Sequence, residues 1–292
     1  MLLAGMLAAC QAQAQSKQKT FSKTYTVSAD AQVSIDNQFG NVVIHSWDKN
    51  QVKADVNILV KHGNDSQAEQ LLGTIQIIDN TAGDNISLRT SIGKAKLKGN
   101  ASMQVNYDVY MPAGVHLRLV NKFGNSTLPS LKGGTDIRQS FGNLETGALT
   151  GNENLLFVEF SDASTRIGPV NNLEGDFRFS NIYVSGLTGR ADIEAQHCGK
   201  FRLGAETGLS SLELDVQYSE VDIDLAENFS GNFNVSTNFG DFRYNERINL
   251  NQPAENKEDR GPRFKFNYAG NIGEGGQPML NIDSNFSTVT FK

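Results

Sequence analysis

Phe123-Gly124-Asn125 and Phe141-Gly142-Asn143 are two copies of one phrase, an aromatic followed by Gly or Ser and then Asn or Asp. The phrase continues through Phe160-Ser161-Asp162, Phe179-Ser180-Asn181, a degenerate His197-Cys198-Gly199, Tyr218-Ser219-Glu220 and Phe239-Gly240-Asp241, at steps of 18 to 21 residues. Outlying copies stand at Phe39-Gly40-Asn41 and Phe286-Ser287-Thr288. A fixed period of this size belongs to architectures in which each repeat buries its apolar face only against its neighbours.

Upstream of each aromatic, apolar residues recur at every second position, as in Leu156, Val158, Phe160 and Leu214, Val216, Tyr218. That is a strand with one buried face, and it puts the aromatics inside. Downstream the apolar positions fall three and five residues past the aromatic, as in Val42 and Ile44, Ile182 and Val184, and Val221 and Ile223. An odd step cannot stay on one face of a straight strand, so the chain bends at the Gly/Ser and Asn/Asp pair, residue types that tolerate a corner. These features predict an all-β chain, a single-stranded β-solenoid (β-helix) of about 20-residue coils. Strand spacing alone would also permit a β-sandwich.

Outward from the repeats, residues 121–292 read as the solenoid, with a polar loop insertion at 245–263 that holds Pro253, Glu255, Lys257, Glu258, Asp259 and Arg260. Phe264, Phe266 and Tyr268, followed by Ala269-Gly270-Asn271, read as an intermediate coil before Phe286. Residues 24–120 read as a first coil plus a sheet-like N-terminal cap. Within the cap a short helix is expected over Asp65 to Leu72, capped by Asp65 or Ser66. Residues 15–23 read as a polar linker. Residues 1–14 form an apolar run ending Ala12-Gln13-Ala14, the pattern of an export signal whose start is truncated. Leu7-Ala8-Ala9-Cys10 competes as a lipobox, with Cys10 as the candidate lipidation site; either processing places the protein outside the cytoplasm.

The 292 residues are 38% hydrophobic and 20% charged, with a net charge of −6. No basic stripe is present, so a nucleic-acid partner is not expected. Lipidation or cleavage leaves Cys198 as the one remaining thiol, in the Gly/Ser slot of a degenerate repeat, and no intrachain disulfide can form.

The four histidines lie in separate segments without ligand spacing, and no catalytic or cofactor-binding motif is present, so no metal, cofactor or catalytic residue is expected. His197, in an aromatic slot, reads as a packed core residue. The densest acidic run, Glu213, Asp215, Glu220, Asp222 and Asp224, reads as a solvated strand face. Its carboxylates are also the residue type of glycan hydrolysis, or of weak calcium binding. Trp47 reads as a cap on the first coil or, if exposed, as a sugar-stacking platform.

The chain resembles the bacterial putative adhesin family, a domain of unknown function related to the head domain of auto-transporter adhesins. The resemblance rests on Val33 to Trp47, on Tyr107 to Leu117 with its Met111-Pro112-Ala113-Gly114 turn, and on the serial corners Phe39, Gly40, Asn41, Phe123, Gly124, Asn125, Phe141, Gly142, Asn143, Phe160, Phe179, Tyr218, Phe239, Gly240 and Phe286. It implies an exported β-solenoid of right-handed lean with no catalytic residues to carry over. The expected function is a non-enzymatic cell-envelope protein presenting its surface to a glycan or protein partner, with membrane attachment only through Cys10. The alternatives are a periplasmic structural or envelope-stress module and a carbohydrate-active β-helix enzyme.

Overall fold

A computed structural model describes residues 15–94, 99–161, 164–251 and 264–292. The export segment with Cys10, Asp162 of the third corner, and residues 252–263 of the polar insertion lie outside these residues. In chain order the strands are β1 (Gln15–Thr26), β2 (Gln32–Gln38), β3 (Val42–Ser46) and β4 (Gln51–His62). Helix α1 (Asp65–Thr74) follows, then β5 (Ile75–Asp79), β6 (Asn85–Ile92), β7 (Ala101–Met111), β8 (His116–Lys122), β9 (Ser126–Leu128), β10 (Thr135–Ser140), β11 (Leu144–Thr146) and β12 (Asn154–Glu159). The rest are β13 (Ser164–Ile167), β14 (Val170–Arg178), β15 (Asn181–Gln196), β16 (Phe201–Gln217), β17 (Glu220–Leu225), β18 (Gly231–Asn238), β19 (Asp241–Arg243), β20 (Ile248–Asn251), β21 (Lys265–Ile272), β22 (Met279–Asn285) and β23 (Thr288–Phe291). The chain is all-β apart from α1.

Two parallel ladders organise these strands. In the first, which precedes the corners, the spatial order is β6, β2, β8, β10, β12, β14, the second halves of β15 and β16, then β22 and β18. In the second, which follows the corners, it is β7, β3, β9, β11, β13, the first halves of β15 and β16, then β17, β23 and β19. Alternation places one row of each strand inside, as in the strict buried-then-partly-exposed pattern of β12. Leu119, Ile137, Leu156, Ile193 and Leu214 from the first ladder, and Leu144, Ile167, Val184, Leu203 and Ile223 from the second, are all buried in one continuous core.

Among the described residues, three of the four ladder ends are closed by antiparallel strands, on β6, β7 and β18, which deny the ladder a free parallel edge there. At the N-terminal end β5 pairs with β6, and β1 and β4 extend from β7. The expected linker at 15–23 is therefore part of a 12-residue strand. Its odd residues tie it to the cap: Lys17 to Asp65 at 2.9 Å, Lys19 to the Ile75 carbonyl, and Lys23 and Tyr25 to Asp79. Burial acts to raise the Asp79 carboxyl, but bonds from Lys23, Thr81 and Tyr25 outweigh it and bring it down to about 2. Helix α1 lies against β1 and β4 with Ala68 and Leu71 buried. Its cap is Asn64, one residue before the expected Asp65 or Ser66, with Oδ1 accepting the Gln67 N–H at 3.0 Å.

The C-terminal end departs from sequence order. Residues 279–291 do not extend the stack outward; β22 lies between β16 and β18, and β23 between β17 and β19. The segment expected as an intermediate coil, 264–272, is antiparallel to both β18 and β20 and closes the first ladder. Parallel rungs carry the same pattern, so a late segment fits between two earlier ones as well as beyond them.

Candidate binding face

The aromatic of the repeated phrase is the corner residue. Phe39, Phe123, Phe141, Phe160, Phe179, His197, Tyr218, Phe239 and Phe286 all have φ between 49° and 63°. Left-handed backbone at the aromatic reverses the side-chain alternation, so the ring that parity assigned to the core points out. The expectation of buried aromatics, His197 included, is thereby corrected. Phe123, Phe141, Phe160, Phe179, Tyr218, Phe239 and Phe286 are 39–51% exposed.

Repeated at every rung, the corner builds a ridge of stacked rings in the order Phe39, Phe123, Phe141, Phe160, Phe179, His197, Tyr218, Phe286, Phe239, Phe264. Neighbouring centroids are 4.6–5.1 Å apart, with interplanar angles of 2–19°. The intercalated C-terminal segment keeps the ridge continuous, since Phe286 bridges Tyr218 and Phe239 at 5.0 Å each. Ring faces are used up within the stack, and the edges are what solvent meets. A pyranose needs a ring face to stack on, so the ridge is not a sugar platform.

Beneath the ridge the small residue is buried or half-buried, and two arrangements occur, Gly in the first rungs and Ser or Cys in those that follow. At Gly124 a Cβ would stand 2.0 Å from the Gly40 carbonyl oxygen, and at Gly142 2.1 Å from that of Gly124. Only Gly permits so close an approach of one rung to the next. The carbonyls are met by inward amides two residues before the aromatic: Asn37 Nδ2 donates to the Gly40 oxygen at 3.2 Å, and Asn121 Nδ2 and Gln139 Nε2 donate to the Gly124 oxygen at 3.2 and 2.6 Å. In the rungs with Ser or Cys the neighbour turns an N–H instead: Ser161 N–H donates to Ser180 Oγ at 3.1 Å, Cys198 N–H to Ser219 Oγ at 2.9 Å, and Ser219 N–H to Ser287 Oγ at 3.0 Å. There the inward residues are Val158, Phe177, Ala195 and Val216, all buried. Cys198 is fully buried, and burial pushes its thiol up to about 11. The third residue of the phrase adds an outer ladder, in which Asn125 N–H donates to Asn41 Oδ1 and Asn143 N–H to Asn125 Oδ1, both at 2.9 Å.

The expected acidic run is divided by the corner. Glu213 and Asp215 lie on the first ladder, and Glu220, Asp222 and Asp224 on the second. On the second ladder charges compensate: Glu145, Arg166, Tyr183, Arg202 and Asp222 are successive register partners, with Arg202 on Asp224 and Lys292 on Asp222. On the first they do not. Glu174, Asp192 and Glu213 are register partners in one outer row, and Asp176, Glu194, Asp215 and Asp283 in the next. Among the described residues the cations paired to this band are Arg178 on Asp176 at 2.7 Å and Arg190 on Asp192 at 3.4 Å. Burial, then Asp283, Asp192 and Glu213, raise the Asp215 carboxyl above its ordinary range. Rungs about 4.8 Å apart bring like charges close enough for roughly 1 kcal/mol of repulsion per pair in water. Five of these acids lay outside the sequence expectation, although they recur five and three residues before Phe179, His197 and Tyr218 and three before Phe286.

The band continues into a groove of about 590 Å³ lined by Asp136, Arg138, Phe157, Glu174, Asp176 and Glu194. Trp47 is elsewhere, half-buried in the cap, with Nε1–H donating to the Gln51 carbonyl at 2.7 Å and its ring 5.4 Å from Tyr110. His45 Nε2 lies 2.8 Å from Asp108, near the same cluster. Among the described residues no group of three or more His, Cys, Asp or Glu is arranged to hold a metal ion, and no helix is long and apolar enough to cross a membrane.

No protein-family model and no curated protein matches the chain. Solved structures similar to it include a "putative adhesin" from Bacteroides fragilis, 10% identical with a TM-score of 0.40, covering 94% of this chain and 97% of that one. Another "putative adhesin", from Parabacteroides distasonis, is 12% identical with a TM-score of 0.39 over the same shares. A "putative lipid binding protein" from Parabacteroides distasonis is 8% identical with a TM-score of 0.27, covering 94% and 96%.

Proposed function

We propose that this chain is a non-enzymatic, exported binding protein of the adhesin kind, and that its two parallel ladders are the long faces of a β-solenoid with one corner ridge per turn. One observation carries the reading: aromatic side chains hold the left-handed corner at nine rungs, and all of them but the half-buried Phe39 stand exposed. A left-handed non-Gly residue costs about 1–2 kcal/mol, while each stacked pair returns about 0.5–1.5 kcal/mol. The two nearly cancel. Asn or Gly would turn the same corner with less strain, so stability alone does not select a continuous row of exposed rings. A contiguous apolar stripe on a rigid scaffold is the form of an interaction surface. The partner favoured is a protein, because the ring faces are not open to sugars.

The apolar segment before Ala14 and the lipobox at Cys10 support export to the cell envelope. The test is protease shaving of intact, epitope-tagged cells, repeated after the outer membrane is permeabilised. Loss of the tag from intact cells is expected. Protection until permeabilisation would overturn surface display and point to a partner inside the envelope.

A further inference from the structure

The aromatic ridge and the carboxylate band run side by side over the same rungs. From Phe179 through His197 and Tyr218 to Phe286, the residue immediately before each ring is Arg178, Gln196, Gln217 and Asn285, and acids stand three and five residues before it, except that Asn281 takes the outer place at the Phe286 rung. Moving outward from the ridge, a partner meets exposed ring edges, then a column of mostly neutral amides, then two rows of carboxylates. Glu174, Asp192, Glu194, Glu213, Asp215 and Asp283 are all exposed. On the other side of the ridge the second ladder offers no matching excess of charge, since Arg202 and Lys292 neutralise Asp224 and Asp222.

Resting on the binding-protein reading, we propose that this face docks a cationic, apolar-flanked polypeptide: an extended segment whose Arg or Lys side chains lie over the Asp176–Asp283 and Glu174–Glu213 rows while its apolar residues pack on the ridge from Phe179 to Phe286. Charge complementarity selects this occupant. Like charges held in register repel one another when the face is empty, and a row of cations at matching spacing relieves that repulsion. A ring edge carries the positive end of the aromatic quadrupole and does not attract cations, so the cations belong on the band and the apolar groups on the ridge. A polyanion is excluded by the band, and an apolar partner without cations would leave the carboxylates uncompensated.

The experiment uses the mature chain and a fluorescent peptide of repeated Arg-Leu-Arg-Thr units, followed by anisotropy across a salt series. The peptide is expected to bind, and to bind less tightly as salt rises. The charge-neutralised variant Glu194→Gln/Asp215→Asn/Asp283→Asn should weaken it roughly tenfold or more and flatten the salt dependence. The ridge variant Phe179→Asn/Tyr218→Asn should weaken it to a similar degree and leave the salt dependence in place. Thermal melts of both variants show whether they remain folded, and a peptide with Ser for Leu repeats the ridge arm on the unaltered protein. Equal binding by the charge-neutralised variant, or equal binding of a Glu-Leu-Glu-Thr peptide, overturns the proposal. An exposed tag in the shaving experiment with no peptide binding would overturn this inference alone; a protected tag with peptide binding would overturn surface display alone.

Discussion

The rungs at Phe123 and Phe141 and those at Phe179 and Tyr218 present the same exposed ring on the same left-handed corner, yet they are held from beneath in opposite ways. In the first pair a carbonyl of the neighbouring rung faces the corner, so the corner residue is Gly and an Asn or Gln inside the core takes up the oxygen. In the second an N–H faces the corner, so a Ser hydroxyl accepts it and the core position is apolar. One peptide orientation thus fixes two residue choices three positions apart. The pairs Asn37 with Gly40, Asn121 with Gly124 and Gln139 with Gly142 contrast with Val158 and Ser161, Phe177 and Ser180, and Val216 and Ser219. Near the C-terminal end a carbonyl again faces a corner Gly: a Cβ at Gly240 would lie 2.0 Å from the Ser287 carbonyl oxygen, which accepts from Ser284 Oγ at 3.4 Å, while the Thr237 hydroxyl at the inward position of the Gly240 rung makes no hydrogen bond among the described residues.

The contrast breaks most sharply at the glycines. Gly124→Ala drives a methyl into the Gly40 carbonyl and should cost about 3 kcal/mol or more, read as a lowered denaturation midpoint. Ser180→Gly in the other type loses the two hydrogen bonds of the hydroxyl, from Ser161 N–H and to the Arg178 carbonyl, and gains backbone freedom, for about 2–3 kcal/mol. The inward residues come next. Asn121→Leu removes the amide's bonds to the Gly124 and Asn125 carbonyls and the Ser126 hydroxyl, each of which keeps a second partner in Gln139 or Val42, and should cost about 1–2 kcal/mol. Val158→Asn should cost a similar amount for the opposite reason, a buried amide with no carbonyl to meet. If Val158→Asn were neutral, the two types would not differ as described.

The exposed ring is a smaller term. Asn accepts left-handed backbone, so Phe179→Asn removes the stacking on Phe160 and His197 without adding strain, and should cost about 1 kcal/mol or less. A larger loss would mean that the ridge stabilises the fold and is not there mainly to be touched. The smallest effect lies on the acidic band. The Asp215 carboxyl is raised in the folded chain, so its ionised form opposes folding at neutral pH and the opposition disappears as pH falls through its folded value. Asp215→Asn should therefore raise the melting temperature slightly at pH 7 and leave it unchanged near pH 3. Asp79 has the opposite sign: its carboxyl is lowered to about 2, and the stability it contributes is present above the ordinary carboxylate range and is lost as pH falls toward that value. Asp79→Asn should thus destabilise at pH 7 and progressively less on acidification.

The period and the strands of the repeats were legible in the sequence because alternation and small residues mark them directly, but the corner was expected at the Gly/Ser and Asn/Asp pair, whereas the left-handed residue is the aromatic before it. The side on which the rings stand was not legible. Leu156 and Val158 set a parity that assigns Phe160 to the core, and only the left-handed φ at Phe160 itself reverses it. The placement of 279–291 was not legible either, because Met279–Asn285 has the alternation of every other rung and nothing in it names its neighbours. The acidic band was half legible: Glu213 and Asp215 stood out as part of a dense run, whereas Glu174, Asp176, Asp192, Glu194 and Asp283 are marked only by their phase relative to the aromatic. The strand at the N-terminus was missed because Lys17, Lys19 and Lys23 read as solvent-exposed until Asp65 and Asp79 from the cap are set opposite them.

The order of the ridge and the place of Asp283 in the band depend on the C-terminal segment lying between two earlier rungs, and cysteine cross-linking tests this directly. In a Cys198→Ser background, which keeps the corner of the Ser type, cysteine pairs are placed at positions 215 and 283, at 236 and 283, and at 215 and 236. Asp215 and Ser236 are each register partners of Asp283 and not of each other. The expected result is oxidation to disulfide for the two pairs that include position 283 and none for 215 with 236. Cross-linking of 215 with 236 would put the C-terminal rung at the end of the stack, set Ser236 in place of Asp283 beside Asp215, and contradict the account.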